Sequence, residues 1–186
     1  MGDDTDLSLI RKIIRGNSQA FGVLIDRHQD FVYTIVFRVL KSKEDAEEVT
    51  QDVFLKIYEA LPNFKMESKF TTWLYTIAYR AAVSKSRKRN RMGFSILESE
   101  NEYQWSDSSE NPLGQLEEQD RIDHIRKSIN ELGSNEAVVL TLYYMKEVKI
   151  KEIATITGIS ESNIKVHLHR GRKNLYQAMQ HQKHLQ

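Results

Sequence analysis

IKEIATITGISESNIKVHLHRGRKNL, residues 150–175, reads as two helices joined by a tight turn. A helix-turn-helix needs a small residue where the helices touch, a turn residue that tolerates φ > 0, and apolar residues that lock the pair. Ala154, Gly158 and Ile164 meet those needs in that order, with Ile153, Ile159 and Leu168 around them. The second helix leaves Ser162, Asn163, Lys165, Val166, His169 and Arg170 outside that core, side chains suited to base edges and phosphates in a major groove. From Lys165 onward the chain carries Lys165, Arg170, Arg172, Lys173 and Lys183, four of its six His, and no acid. An ordinary helical hairpin with a solvated basic face is the plainer alternative. The one-sided charge and the Ala–Gly–Ile spacing favour DNA.

Upstream, the apolar spacing is helical nearly everywhere. Leu7, Ile10 and Ile14 make a short stripe closed by Gly16, and Ser18 is the expected cap of a segment running from Phe21 through Val39. Ser42, with Asp45 three residues on, opens a third segment whose Ala46, Val49, Val53, Ile57 and Leu61 repeat until Pro62. Phe70, Trp73, Leu74, Ile77, Ala78 and Ala81 form a fourth stripe that runs into Lys85, Arg87, Lys88, Arg89 and Arg91. Leu116, Ile122, Ile125, Ile129 and Leu132 begin a second unit. In it Ser134 is the expected cap of a buried central helix bearing Val138, Val139, Leu140, Leu142, Tyr143 and Met145.

Between the units the character changes. Glu98, Glu100, Glu102, Asp107, Glu110, Glu117, Glu118 and Asp120 follow one another with no Lys or Arg among them. Charges of one sign extend a chain, so this region reads as a linker. The expected organisation is all-α: a helical domain over 1–92, an acidic flexible linker over 93–112, and a helix-turn-helix domain over 113–186.

Composition narrows the function. The 186 residues hold no Cys, which excludes a disulfide framework, a thiol nucleophile and Cys-ligated zinc. Lys+Arg 27 against Asp+Glu 26 leaves a net charge of only +1, so the charge is segregated rather than absent. Only 8 Gly and 2 Pro disfavour a many-stranded sandwich or a Gly-rich nucleotide fold. The acidic start MGDDTDLSLI lacks the apolar core of a secretory signal, and no stretch approaches the roughly 20 apolar residues of a membrane span. A cytoplasmic protein is expected. His167 and His169, two residues apart, point different ways and make no zinc pair. No phosphate-binding, nucleophile-elbow or zincin motif occurs, so neither an enzyme, a cofactor, a metal nor a small-molecule substrate is expected.

Two further stretches bear on function. In FTTWLYTIAYRAAVSKSRKRNR, residues 70–91, Trp73, Tyr75 and Tyr79 lead into a dense basic tip. Aromatic rings stack on bases while cations neutralise phosphates, as a single-stranded nucleic-acid site requires. Phe70, Trp73, Leu74 and Ile77 share one face, and core packing explains them equally well. In EDAEEVTQDVFLKIYEALPNF, residues 44–64, the acids Glu44, Asp45, Glu47, Glu48 and Asp52 crowd the first turns. The helix dipole favours them there, so a solvated face accounts for them without a partner.

In this order, the three stretches resemble the extracytoplasmic-function (ECF) sigma factors of bacterial RNA polymerase over nearly the whole chain outside the linker. The resemblance implies a factor that binds core RNA polymerase, recognises −35 and −10 promoter DNA and directs initiation. It implies polymerase binding through Asp45, Glu48, Gln51 and Asp52, with Phe54 on the supporting side. It implies that Lys69, in the loop before Phe70, and Trp73, Tyr75, Tyr79, Arg80, Lys85, Arg87 and Lys88 open and hold the −10 strand. Ser162, Asn163, Lys165, Val166, His169 and Arg170 would read the −35 duplex, with Arg172 and Lys173 on phosphates. The linker would run toward the polymerase's RNA exit path, and an anti-sigma factor, often membrane-anchored, would hold the protein inactive. Arg80 and Ser84 depart from the family's usual Asn and acid, so the −10 preference does not transfer. A two-domain regulator carrying the same DNA-binding module is the alternative, and it would bind duplex tightly without polymerase.

Overall fold

A computed structural model of the chain describes residues 5–91 and 128–183, all in helices and their connections. The first domain contains α1 (Asp6–Ile14), α2 (Ser18–Leu40), α3 (Lys43–Ala60), a 3₁₀ turn (Leu61–Asn63) and α4 (Phe70–Arg91). The second contains a helical turn over 128–131, α5 (Ser134–Leu140) with a π-helical turn (Thr141–Met145), α6 (Ile150–Thr157) and α7 (Glu161–Lys183). Among the described residues no strand occurs and no helix is long and apolar enough to cross a membrane. The linker expected over 93–112, and Leu116, Ile122 and Ile125, lie outside the described residues.

Caps explain the boundaries. The Ser42 hydroxyl accepts from the Asp45 N–H at 3.3 Å and starts α3, as its sequence implied. Asn17, not Ser18, caps α2, accepting from the Ala20 N–H at 3.2 Å. A Ser at N1 points its hydroxyl away from the open N–H groups, whereas the residue before it faces them. Pro62 sits at the start of the 3₁₀ turn and ends α3, because it has no N–H to continue the ladder. Gly158 takes φ 73 at the end of α6, the left-handed cap the turn demands. Ser134 is no cap; its hydroxyl donates across the molecule to the Val39 carbonyl at 3.4 Å.

The first core lies between α2, α3 and α4 and is filled by Leu24, Val32, Ile35, Val53, Ile57 and Leu74. Against it α1 buries Leu9, Ile10 and Ile13, whereas Leu7 and Ile14, expected inside, are exposed. The helix had two candidate stripes, and contact with α2 selects the one set by residues 9, 10 and 13. In the second domain Ala137 to Leu142 are buried, but Tyr143 and Met145 are exposed, because the π turn rotates them off the core face. Ile153, Ile164 and Leu168 are buried and lock the helix-turn-helix as its sequence implied. Gly171 permits close approach of α7 to α5: a Cβ there would stand 2.9 Å from Leu140 Cδ1.

Candidate nucleic-acid interface

On α7, Ser160 accepts from the Asn163 N–H at 3.3 Å and fixes where the helix begins. With Ile164 and Leu168 buried, Ser162, Asn163, Lys165, Val166, His169, Arg170, Arg172 and Lys173 are all exposed. Six of these lie in the first ten residues of the second helix of a helix-turn-helix, the part that enters a major groove. Arg172 is held in place, its Nε donating to the Leu168 carbonyl at 3.1 Å and its Nη1 to the Tyr144 hydroxyl at 3.4 Å. Apart from Glu161 in its first turn, this face is entirely neutral or basic. It is suited to a polyanionic duplex.

The α4 surface is more selective than its sequence suggested. Trp73 is half-buried, its ring 4.8 Å from Phe64 at an interplanar angle of 30° and 6.0 Å from Phe70. Tyr75, expected beside bases, is a core residue: its ring lies 5.0 Å from Phe31 and burial pushes its hydroxyl up to about 12. Tyr79 is buried as well, with only its hydroxyl reaching Asn135 at 3.4 Å. A long helix packed on both sides has little surface left for its aromatics, which is why spacing alone misplaced these two. Arg80, Arg87 and Lys88 are exposed. Lys85 turns instead to α3, donating to Glu48 at 2.7 Å with Asp45 at 3.5 Å, and these carboxylates, Glu48 foremost, raise its pKa. Lys69 at the entry to α4 pairs with Glu152 of α6 at 2.8 Å.

On α3, Gln51 and Asp52 are exposed and Phe54 is buried beneath them. Glu48 is exposed and carries the Lys85 pair, while Asp45 is half-buried against Arg89. The outer face of α3 is thus acidic at its start and polar at its middle. It ends in two exposed apolar side chains that the sequence reading passed over, Leu55 and Tyr58. They follow Gln51 by four and seven residues, so one helix face carries all three. Their signal was visible: neither belongs to the Ala46–Val49–Val53–Ile57 stripe.

Comparison with known proteins identifies both domains. The family model described as Sigma-70 region 2 matches residues 24–92, and the Sigma-70 region 4 model matches residues 122–175. The ECF RNA polymerase sigma factor SigW of Bacillus subtilis is 26% identical over 172 residues, 89% of this chain and 92% of that protein. The ECF RNA polymerase sigma-E factor of Escherichia coli is 28% identical over 175 residues, 91% of each chain. Among solved structures, the sigma factor RpoE from Bartonella quintana, in complex with the anti-sigma factor NepR, matches with a TM-score of 0.69. That match has 20% identity and covers 86% of this chain and 96% of that one. CnrH, in complex with the cytosolic domain of CnrY, matches at TM-score 0.62 and 20% identity over 92% of this chain and 95% of that one. With both regions present in order, and relatives aligned over most of their length and of this chain's, the chain belongs to the ECF sigma factors of bacterial RNA polymerase.

Proposed function

We propose that this sigma factor divides its work among three helices. The outer face of α3, through Asp45, Glu48, Gln51 and Asp52 over a Phe54 support, binds core RNA polymerase; Leu55 and Tyr58 extend that face. Lys69, Trp73, Arg80, Arg87 and Lys88 hold the opened −10 strand. Tyr75, Tyr79 and Lys85 support that surface from within or from its edge. The exposed face of α7, from Ser162 to Lys173, takes the −35 duplex. The domains follow the limits 1–92 and 113–186, with 93–112 as linker. The protein acts in the cytoplasm as an initiation factor rather than an enzyme, and an anti-sigma factor silences it.

One observation carries the reading most. Eight polar, basic or small side chains, Val166 among them, emerge together on the second helix of a helix-turn-helix while Ile164 and Leu168 are buried in the core. That is a groove-reading face with an intact scaffold. Arg80 sets the base preference at −10, because a planar cation with donors only can fork onto a guanine edge or stack, where an amide offers both a donor and an acceptor.

Co-purification tests the polymerase assignment. The Gln51→Ala, Asp52→Ala double variant should lose core polymerase while keeping its helical circular dichroism, since exposed substitutions change stability little. Retained core binding by the folded double variant would refute the role given to α3.

A further inference from the structure

The loop that leads into α4 is closed by rings. Phe64 and Phe70, at its two ends, are buried and meet edge-on with centroids 6.0 Å apart, while residues 65–69 are all exposed. Met66 takes φ 57, a left-handed conformation that a residue other than Gly keeps only where its surroundings fix it. Trp73 completes the group, 4.8 Å from Phe64 and 6.0 Å from Phe70. Of the three rings, Trp73 is the one that is only half-buried.

A fourth ring sits behind them. His28 of α2 is buried, and its ring lies 5.6 Å from Phe70 at an interplanar angle of 65°. Its Nε2 donates to the Asp6 carboxylate at 3.0 Å, and the other Asp6 oxygen accepts from Arg27 Nη1 at 2.7 Å. A carboxylate on one ring nitrogen fixes both the tautomer and the orientation of the imidazole. The helix that begins at Asp6, α1, also lies against the 3₁₀ turn (Leu61–Asn63) that delivers Phe64. Both ends of the loop are therefore braced from α1, Phe64 through the turn and Phe70 through His28. Packing alone would be better served at position 28 by an apolar side chain, since a buried imidazole is costly to desolvate.

We infer that Asp6 and His28 are positioning residues for capture of the −10 strand, acting through Phe70 on Trp73 and the loop before it. This rests on the reading of Lys69 and Trp73 as −10 contacts. A base stacks on the face of a ring, so the plane that Trp73 presents decides how well a strand packs there. Close packing passes a displacement from ring to ring, because a dense interior has no slack to absorb it. Loss of the Asp6–His28 bond frees the imidazole, and Phe70 then loses the contact that orients its ring. Asp6 and His28 touch no DNA themselves. Their effect is confined to strand capture; polymerase contact on α3 and duplex contact on α7 do not depend on them.

Trp73 and Trp105 are the only tryptophans, so Trp105→Phe leaves Trp73 as the sole reporter. In that full-length protein, His28→Leu and Asp6→Ala should shift the Trp73 emission and its quenching by acrylamide, with helical circular dichroism retained. Asp6→Asn, whose amide oxygen still accepts from His28, should restore the parent spectrum. For the reconstituted holoenzyme, the probe is a fluorescent fork with a duplex −35 element and a single-stranded −10 element, taken from a promoter that the parent transcribes. His28→Leu should weaken fork binding at least about threefold, as expected for coupling through packed side chains. Core co-purification and binding of the −35 duplex alone should be unchanged. In a Trp73→Ala background, itself expected to weaken the fork about tenfold, His28→Leu should add nothing. Unchanged Trp73 emission in both variants would overturn the link between His28 and Trp73. Equal weakening by His28→Leu in both backgrounds would overturn its action through Trp73. If Trp73→Ala binds the fork as the parent does, the reading of α4 falls and the role in strand capture with it, while shifted emission still establishes the link.

Discussion

Arg89 donates from Nη1 to the Asp45 carboxylate at 2.9 Å and from Nη2 to the Leu40 carbonyl at 3.0 Å. A single guanidinium thereby ties the basic end of α4 to the acidic start of α3 and satisfies an open carbonyl at the end of α2. Lys85 repeats the link one turn earlier, through Glu48. The acids at the start of α3 are therefore not a free-standing charge patch. They form one electrostatic unit with the helix proposed to hold DNA, so polymerase contact on α3 and strand contact on α4 share neighbouring charges.

Arg89→Ala should accordingly cost about 1.5–3 kcal/mol of stability, the range for hydrogen bonds involving a charged group, because it takes the donor from the Leu40 carbonyl and leaves Asp45 only its longer contact with Lys85 at 3.5 Å. Urea denaturation checks this. A loss near zero would mean that water replaces the guanidinium freely and the unit is not structural.

The α7 face predicts two kinds of defect. Lys165→Ala or Arg170→Ala should lower initiation at the cognate promoter, a base-edge contact being worth about 1–3 kcal/mol of discrimination. Arg172→Ala should weaken all duplexes alike and reduce the salt dependence of binding. Its guanidinium, held to the Leu168 carbonyl and Tyr144, is fixed for a phosphate rather than free to search base edges. Equal loss on cognate and scrambled duplex by the Lys165 and Arg170 variants would place those residues with the phosphate contacts.

Gly171→Ala should destabilise the second domain. The added Cβ meets Leu140 Cδ1 at 2.9 Å and Cγ at 3.2 Å, and Leu140 is itself packed in the core. Overpacking costs about 1–3 kcal/mol, and the better helix propensity of Ala offsets roughly 1 kcal/mol of that. A melting temperature below the parent's is expected, with Leu140→Val restoring part of it. A melting temperature above the parent's would show that Leu140 yields without cost.

His28 supplies a pH dependence. Burial holds its pKa below 6.5, outweighing the Asp6 carboxylate that accepts from it at 3.0 Å; Arg27 and Lys146 push the same way as burial. In the unfolded chain the ring takes its proton near pH 6.5, while the folded state resists it. Stability from this group is therefore present above the unfolded value and lost as pH falls through the folded one. Between about pH 7 and about pH 5.5 the urea midpoint should fall, and fall less in His28→Gln. Identical slopes for the two proteins would remove His28 as the cause.

Much of this was legible in the sequence where the governing physics is local. Ser42 as a cap, Pro62 as a stop, and the Ala154–Gly158–Ile164 turn each follow from the needs of a few adjacent backbone groups, and the α7 face follows from subtraction of its core. The misreadings share a different cause. Leu7 and Ile14 against Leu9 and Ile13, and the burial of Tyr75 and Tyr79, depend on which side of a helix meets a neighbour far away in the chain. The partnership of Asp45 with Arg89, 44 residues apart, and the pairing of Lys69 with Glu152 have no local signature at all. What neighbouring backbone groups decide could be read; what a partner far along the chain decides could not.

Promoter-specific initiation by this protein depends on polymerase. Its most direct test is transcription of fragmented bacterial genomic DNA by purified core polymerase, with and without the full-length protein, followed by mapping of transcript 5′ ends. Start sites should appear only with the protein and share two upstream elements at a fixed separation, the −35 element losing its influence in Lys165→Ala and the −10 base preference shifting in Arg80→Asn. An unchanged set of 5′ ends, together with tight sequence-specific duplex binding by the protein alone, would contradict it.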